Sequence, residues 1–187
     1  MKTTESKSKK YKSAAREIAF ISLSVALITV CAWISIPIGQ VPITLQTLAV
    51  ALVGGLLGWK RGCAAVFVYI LMGLIGIPVF SGFMGGPAKL FGVTGGYIFG
   101  FLFLALIPAL AKLLPVKNSW LRLAIFFVSM IVGEAACYFF GTVWFVLMYK
   151  CTVGYALAMC VVPFIVPDLV KFAVAAFLAV RLEKYIK

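Results

Sequence analysis

Two carboxylates in this chain sit where water is scarce. Of five acidic residues, Glu5, Glu17 and Glu183 fall at the polar ends of the sequence, whereas Glu134 and Asp168 interrupt long apolar runs. A charge in hydrocarbon costs at least about 2.5 kcal/mol, so such groups turn toward a protein interior and mark ligand or ion sites by default. Asp168 follows Pro167 and precedes Lys171 by three residues, which places carboxylate and ammonium on one helical face. Proline suits the first position of a helix. The spacing therefore predicts a helix opening at Pro167 with Asp168 in its first turn, where the positive end of the dipole favours an anion. Both groups can bond a polar guest in a low-dielectric place, and that reading outweighs the plainer one of an ion pair that fixes helix register with Asp168 as a cap. Glu134 stands beside Gly133, Ala135 and Ala136 and within helical reach of the Tyr138 hydroxyl, so a structural role weighs at least as much there.

Other chemistries lack their residues. Histidine is absent, which removes the usual metal ligand and the usual base near neutral pH. Cys31, Cys63, Cys137, Cys151 and Cys160 show no CxxC spacing and scatter through apolar segments, as small buried thiols do. Only Cys151 and Cys160 share one connecting stretch, and free thiols are expected even there. The run 54–59 looks superficially like a nucleotide loop but lacks the Gly-Lys-Ser/Thr that holds phosphates, which argues against ATP binding by this chain. No catalytic constellation, metal or cofactor site is expected.

The elements that position Glu134, Asp168 and Lys171 follow from composition. With 64% hydrophobic and 12% charged residues over 187 positions, the chain needs lipid as its solvent. At about 20 apolar residues per crossing, it holds roughly six crossings with short connections. The expected fold is an all-α membrane protein: a basic tail at residues 1–17, then a transmembrane domain at 18–187. Crossings are expected at 18–36, 47–57, 63–77, 97–114, 121–149 and 167–185. Pro37, Gly39 and Pro42 break the chain after the first, and Lys60 and Arg61 mark a tight basic turn at 58–62. The 150–163 stretch reads as a turn. The loop 79–96 is rich in glycine and carries Phe80, Phe83 and Phe91. Irregular backbone at membrane depth persists only where it is buried in protein or lines a cavity, which favours a wall or lid over an ordinary exposed loop.

The net charge of +12 points to a membrane surface and not to nucleic acid, because the basic residues cluster between apolar runs. They gather in the tail, at 60–61, between Lys112 and Arg122, and from Arg181 onward, while Lys89 and Lys150 stand on the opposite side. The positive-inside rule then predicts cytoplasmic N and C termini in the cell membrane, with Asp168 and Lys171 in the outer half of the bilayer. Small residues at Ala15 and Ala19, and at Ser22 and Ala26, repeat at four-residue spacing and fit a surface for a partner helix.

Four runs in order carry a family resemblance. They are Pro42-Ile43-Thr44-Leu45-Gln46-Thr47, the segment from Gly73 to Gly82, Gly92-Val93-Thr94-Gly95-Gly96-Tyr97, and Pro167-Asp168-Leu169-Val170-Lys171. Together with Gly133, Tyr138, Gly141 and Trp144, the chain resembles the BioY family, biotin-specific substrate-binding subunits of energy-coupling factor (ECF) importers. The resemblance implies a six-transmembrane-helix bundle that binds biotin near the outer face. It also implies as partners a transmembrane coupling protein and two ATP-binding subunits. Biotin offers two ureido N–H donors, a ureido carbonyl, an apolar sulfur ring and a carboxylate tail. Asp168 would accept from the ureido N–H groups and Lys171 would donate to the carbonyl or organise Asp168. Thr44, Gln46 and Tyr97 are further contacts and Phe80 covers the ring, with the carboxylate's partner left open. The competing reading is an ion-coupled secondary transporter, against which stand the scarcity of intramembrane carboxylates and the lack of an internal repeat.

Overall fold

Apolar runs in lipid must satisfy their own backbone groups, and this chain does so almost throughout as α-helix. The structure, a computed structural model, describes residues 2–37 and 41–186, and of residues 2–13 the backbone alone. The basic side chains of the tail through Lys12, Gly39 of the expected break, and Lys187 lie outside the described residues. Helix α1 (Lys2–Trp33) runs back through the expected tail without interruption. It stops short of residue 36, because a residue before proline is pushed into extended backbone and Ile36 precedes Pro37. Ser35–Ile36 (β1) accordingly pairs with Ile43–Thr44 (β2) in a small antiparallel ladder, Ser35 opposite Thr44.

Helix α2 (Gln46–Leu74) is two arms joined at one residue. Gly58, at φ 77° and ψ 177°, leaves helical backbone where only glycine does so freely. The side-chain amide of Gln46 donates to the Tyr69 hydroxyl at 2.8 Å. A straight helix would hold these residues roughly 34 Å apart, so the arms fold back antiparallel. The expected turn at 58–62 thus shrinks to Gly58, and Lys60 and Arg61 open the second arm, which ends at Leu74 and not at residue 77. The break orphans carbonyls of the first arm, and Lys112 donates to that of Leu56 at 2.5 Å.

After a loop containing the short helix α3 (Pro87–Leu90) come α4 (Gly95–Ala111) and α5 (Ser119–Tyr149), the latter capped by the Asn118 side chain on the Trp120 amide at 2.9 Å. Small residues let α4 and α5 approach closely along an antiparallel seam: Gly96 faces Trp144, Tyr97 faces Gly141, Gly100 faces Cys137 and Leu104 faces Gly133. Helix α6 (Val153–Cys160) occupies the stretch expected to be a turn, and α7 (Val162–Leu182) follows. Pro167 lies inside α7 and does not open it. Pro163 takes the early position instead, so Asp168 lies well past the first turn and the expected capping by the helix dipole does not apply.

Among the described residues, four helices are long and apolar enough to cross a membrane, Ala14–Trp33, Gln46–Leu74, Ser119–Tyr149 and Val162–Tyr185, and α4 is a shorter apolar one. Leu23, Val128, Phe139 and Val166 point outward from them, as lipid-facing residues do. This is a multi-pass membrane protein. All five cysteines are free thiols, as expected.

One end of the bundle is tied by ion pairs. Arg61 grips Glu17 with two nitrogens, and the Arg122 guanidinium meets both carboxylate oxygens of Glu183 at 2.6 Å. The second pair joins the start of α5 to the turn after α7. Fork geometry like that of Arg122 and Glu183, whose side chains are mostly covered, contributes roughly 1 kcal/mol. Arg122→Ala is expected to lower the thermal midpoint in detergent by a few degrees and to leave ligand affinity unchanged; a wild-type melting curve would mean the pair contributes nothing.

Candidate ligand-binding site

At the opposite end β2 and the start of α2, the loop after α2, the start of α4, the middle of α5, the end of α6 and the first half of α7 surround a pocket. Its lining includes all six residues expected from sequence: Thr44, Gln46, Phe80, Tyr97, Asp168 and Lys171. Asp168 and Lys171 are 2% and 7% exposed and pair at 2.7 Å between Nζ and Oδ1, as their three-residue spacing requires. Two further helices hold the carboxylate. The Thr47 hydroxyl, one residue into α2, donates to Oδ1 at 2.9 Å, and the Tyr138 hydroxyl of α5 donates to Oδ2 at 2.5 Å. Lys171 also reaches Thr47 Oγ1 at 3.3 Å.

The rest of the pocket is shaped by the loops. The Thr44 hydroxyl accepts from the backbone N–H of Gln46, the first residue of α2, at 3.2 Å. The Gln46 side-chain amide gives one hydrogen to Tyr69, whose own hydroxyl donates to the Val79 carbonyl at 2.9 Å, leaving the Gln46 side-chain carbonyl oxygen for other donors. Phe80 is buried edge-on against Tyr69, ring centres 5.5 Å apart, in a tight bend closed by a bridge to Met84. The glycine-rich loop is therefore a pocket wall, with Ser81, Lys89 and Thr94 also facing inward. It is held at three points: Trp33 donates to Pro78 at 2.8 Å, Trp33 stacks on Phe83, and Trp144 donates to Gly92 at 2.9 Å. Tyr97, buried against Gly141, lies 3.3 Å from Thr142 between hydroxyl oxygens.

Glu134 departs from its expected partner. Its neighbour on the same helical face, Tyr138, bonds Asp168 and not Glu134, because side chains four apart both project across to α7. Glu134 is 4% exposed, lines the pocket, and its Oε2 is the one buried side-chain polar atom without a partner among the described residues. Sequence reasoning did not single out Thr47 or Lys89. Thr47 could have been found from the resemblance run it ends, whereas Lys89 carries no local signal beyond being a lone cation in a glycine-rich loop. Burial holds the Lys89 ammonium below the ordinary lysine range.

The arrangement suits a small molecule that is polar at one end. Aromatic walls from Phe80, Phe101 and Phe164 take an apolar body, while a fixed carboxylate and ammonium receive donors and acceptors. Among the described residues no His, Cys, Asp and Glu group could hold a metal ion.

Known proteins similar to this chain in sequence and in shape point to one family. The chain is 41% identical over 170 residues to "Biotin transporter BioY" of Thermotoga maritima, covering 90% of this chain and 96% of that one. It is 39% identical over 169 residues to "Probable biotin transporter BioY" of Pyrococcus horikoshii, covering 90% and 97%. Its fold superposes on the crystal structure of the S-component for biotin from an ECF-type ABC transporter with a TM-score of 0.81, at 29% identity, over 92% of this chain and 93% of that one. The sequence model of the family matches residues 2–187, and the chain belongs to the BioY family.

Proposed function

We propose that this chain takes up biotin across the cell membrane as the biotin-binding S component of an ECF-type, ATP-driven importer. The observation that carries this reading is the Asp168–Lys171 pair, fixed by Thr47 and Tyr138 inside an aromatic-walled pocket of a BioY-family protein. A buried ion pair is weak evidence of stability, so its presence here is better explained by a guest that shares its hydrogen bonds. Biotin's ureido ring fits beside the pair, its sulfur ring against the aromatic walls, and its carboxylate toward Lys89 at the loop. The direct test is titration of the detergent-purified chain with biotin, together with mass identification of any ligand that co-purifies. Failure to bind biotin would remove this reading.

Lys89 is then the carboxylate's partner. Lys89→Met should weaken biotin roughly tenfold and leave the affinity of biotin amide unchanged, since only the first ligand carries the charge that the ammonium answers. Equal losses for both ligands would exclude this role.

Six crossings follow if the two arms of α2 are counted separately, with α1, α4, α5 and α7 as the others. Glu17 and Glu183 lie at the same end of the bundle, away from the pocket, beside Arg61 and Arg122. The positive-inside rule makes that end cytoplasmic and the pocket end external. Labelling of cysteines introduced at Lys117 and Lys150 from either side of the membrane tests it, with Lys150 expected to react from outside. The implied partners are a coupling protein and two ATP-binding subunits. Ala15, Ala19, Ser22 and Ala26 are all exposed on α1, which supports this stripe as the coupling protein's contact. An ion-coupled mechanism is not favoured; uptake that collapses with an uncoupler while ATP is maintained would reinstate it.

A further inference from the structure

The acceptor capacity of the pocket is smaller than its ion pair suggests. An ionised carboxylate offers about four lone-pair sites. Thr47 and Lys171 fill those of Asp168 Oδ1, and Tyr138 takes one at Oδ2, leaving room for a single further donor. A cyclic urea carries two N–H groups that point apart on either side of its carbonyl, so one acceptor group cannot serve both. A second acceptor must come from another wall.

We propose that Glu134 is that second acceptor, receiving an N–H of the bound ureido ring and thereby setting specificity for a cyclic urea; this rests on the reading of the pocket as a biotin site. Glu134 lines the same pocket as Asp168 and Lys171, from α5, while those two residues come from α7. It lies one turn from Tyr138, whose hydroxyl touches Asp168, so Glu134 belongs to the same polar cluster. Its Oε2 is buried and has no partner in the protein, an arrangement that native structures seldom keep unless something else supplies the bond. A purely structural glutamate at this depth would instead be bonded within the protein, as Asp168 is.

The test compares the wild-type chain with Glu134→Leu and Glu134→Gln in detergent, by biotin titration and by thermal melting of the empty protein. Glu134→Leu is expected to lose roughly tenfold to a hundredfold in biotin affinity, with the melting midpoint of the empty protein unchanged or raised, because an unsatisfied buried polar atom is removed. Glu134→Gln keeps an acceptor oxygen and the shape, and is expected to recover most of the affinity. Biotin methylated at one or the other ureido nitrogen supplies the readout that packing alone would not move: for one of the two isomers the wild-type and leucine proteins should bind equally. Wild-type biotin affinity in Glu134→Leu, or the same loss for biotin and both methylated forms, overturns the proposal while leaving the biotin site intact. A wild-type chain that binds no biotin overturns the functional reading and this proposal with it.

Discussion

Asp168→Asn is expected to lower biotin affinity by at least about thirtyfold while the chain still elutes from detergent as a single folded species. The substitution preserves shape but removes the charge that three donors from three helices now face. Truncating one member of a buried, hydrogen-bonded charge pair costs about 2–5 kcal/mol in comparable binding sites. Part of that arises because Lys171, 7% exposed, then faces a neutral amide oxygen in place of the carboxylate that balances its charge. The asparagine NH2 must also point at a hydroxyl or an ammonium that needs an acceptor. Titration with biotin gives the affinity, and size-exclusion behaviour and melting separate lost binding from lost folding. Unchanged affinity would remove Asp168 from the site and leave the pair as a structural feature of α7.

Gly54→Val is expected to destabilise the fold by roughly 3 kcal/mol or more, enough to prevent recovery of monodisperse protein. A β-carbon at Gly54 would stand 2.2 Å from the Ala105 carbonyl oxygen and 2.8 Å from its carbon and α-carbon. These are backbone atoms in the middle of α4, so no rotamer change relieves the clash and the first arm of α2 must move off its neighbour. Gly154 in α6 is the control, since a β-carbon there meets nothing within 4 Å. Gly154→Ala should melt at or slightly above the wild-type temperature, as alanine is the better helix former. Normal yield and melting of Gly54→Val would mean that α2 and α4 pack more loosely than described.

The all-α architecture and the pocket's charged pair were legible because both rest on local rules. Long apolar runs satisfy their backbone only as helices, and Asp168 and Lys171 need nothing beyond three-residue spacing to meet. Boundaries were less legible where two signals competed. Pro167 reads as a helix start, but Pro163 stands four residues earlier and takes that role, and α6 fills a stretch whose proline and lysine suggested only a turn. The reversal at 58–62 was readable from its glycines and basic residues, though not that Gly58 alone would make it. Partners distant in sequence could not be read at all: Thr47 with Asp168 spans 121 residues, and Tyr138 attached to Asp168 when its spacing offered Glu134. Lys89 reaches the pocket only through the path of a glycine-rich loop, which no periodicity predicts.

With Asp168 in the proposed role of receiving group, the three-donor hold on it bears on how an arriving molecule is received. Side chains that must be ordered during association each subtract about 0.5–1.5 kcal/mol from the affinity, and a carboxylate already locked by its neighbours escapes most of that loss. The entropy was surrendered when the helices came together, before any vitamin arrived. Capture from dilute solution then depends on the fit of the guest, since the receiving group has no search of its own to make.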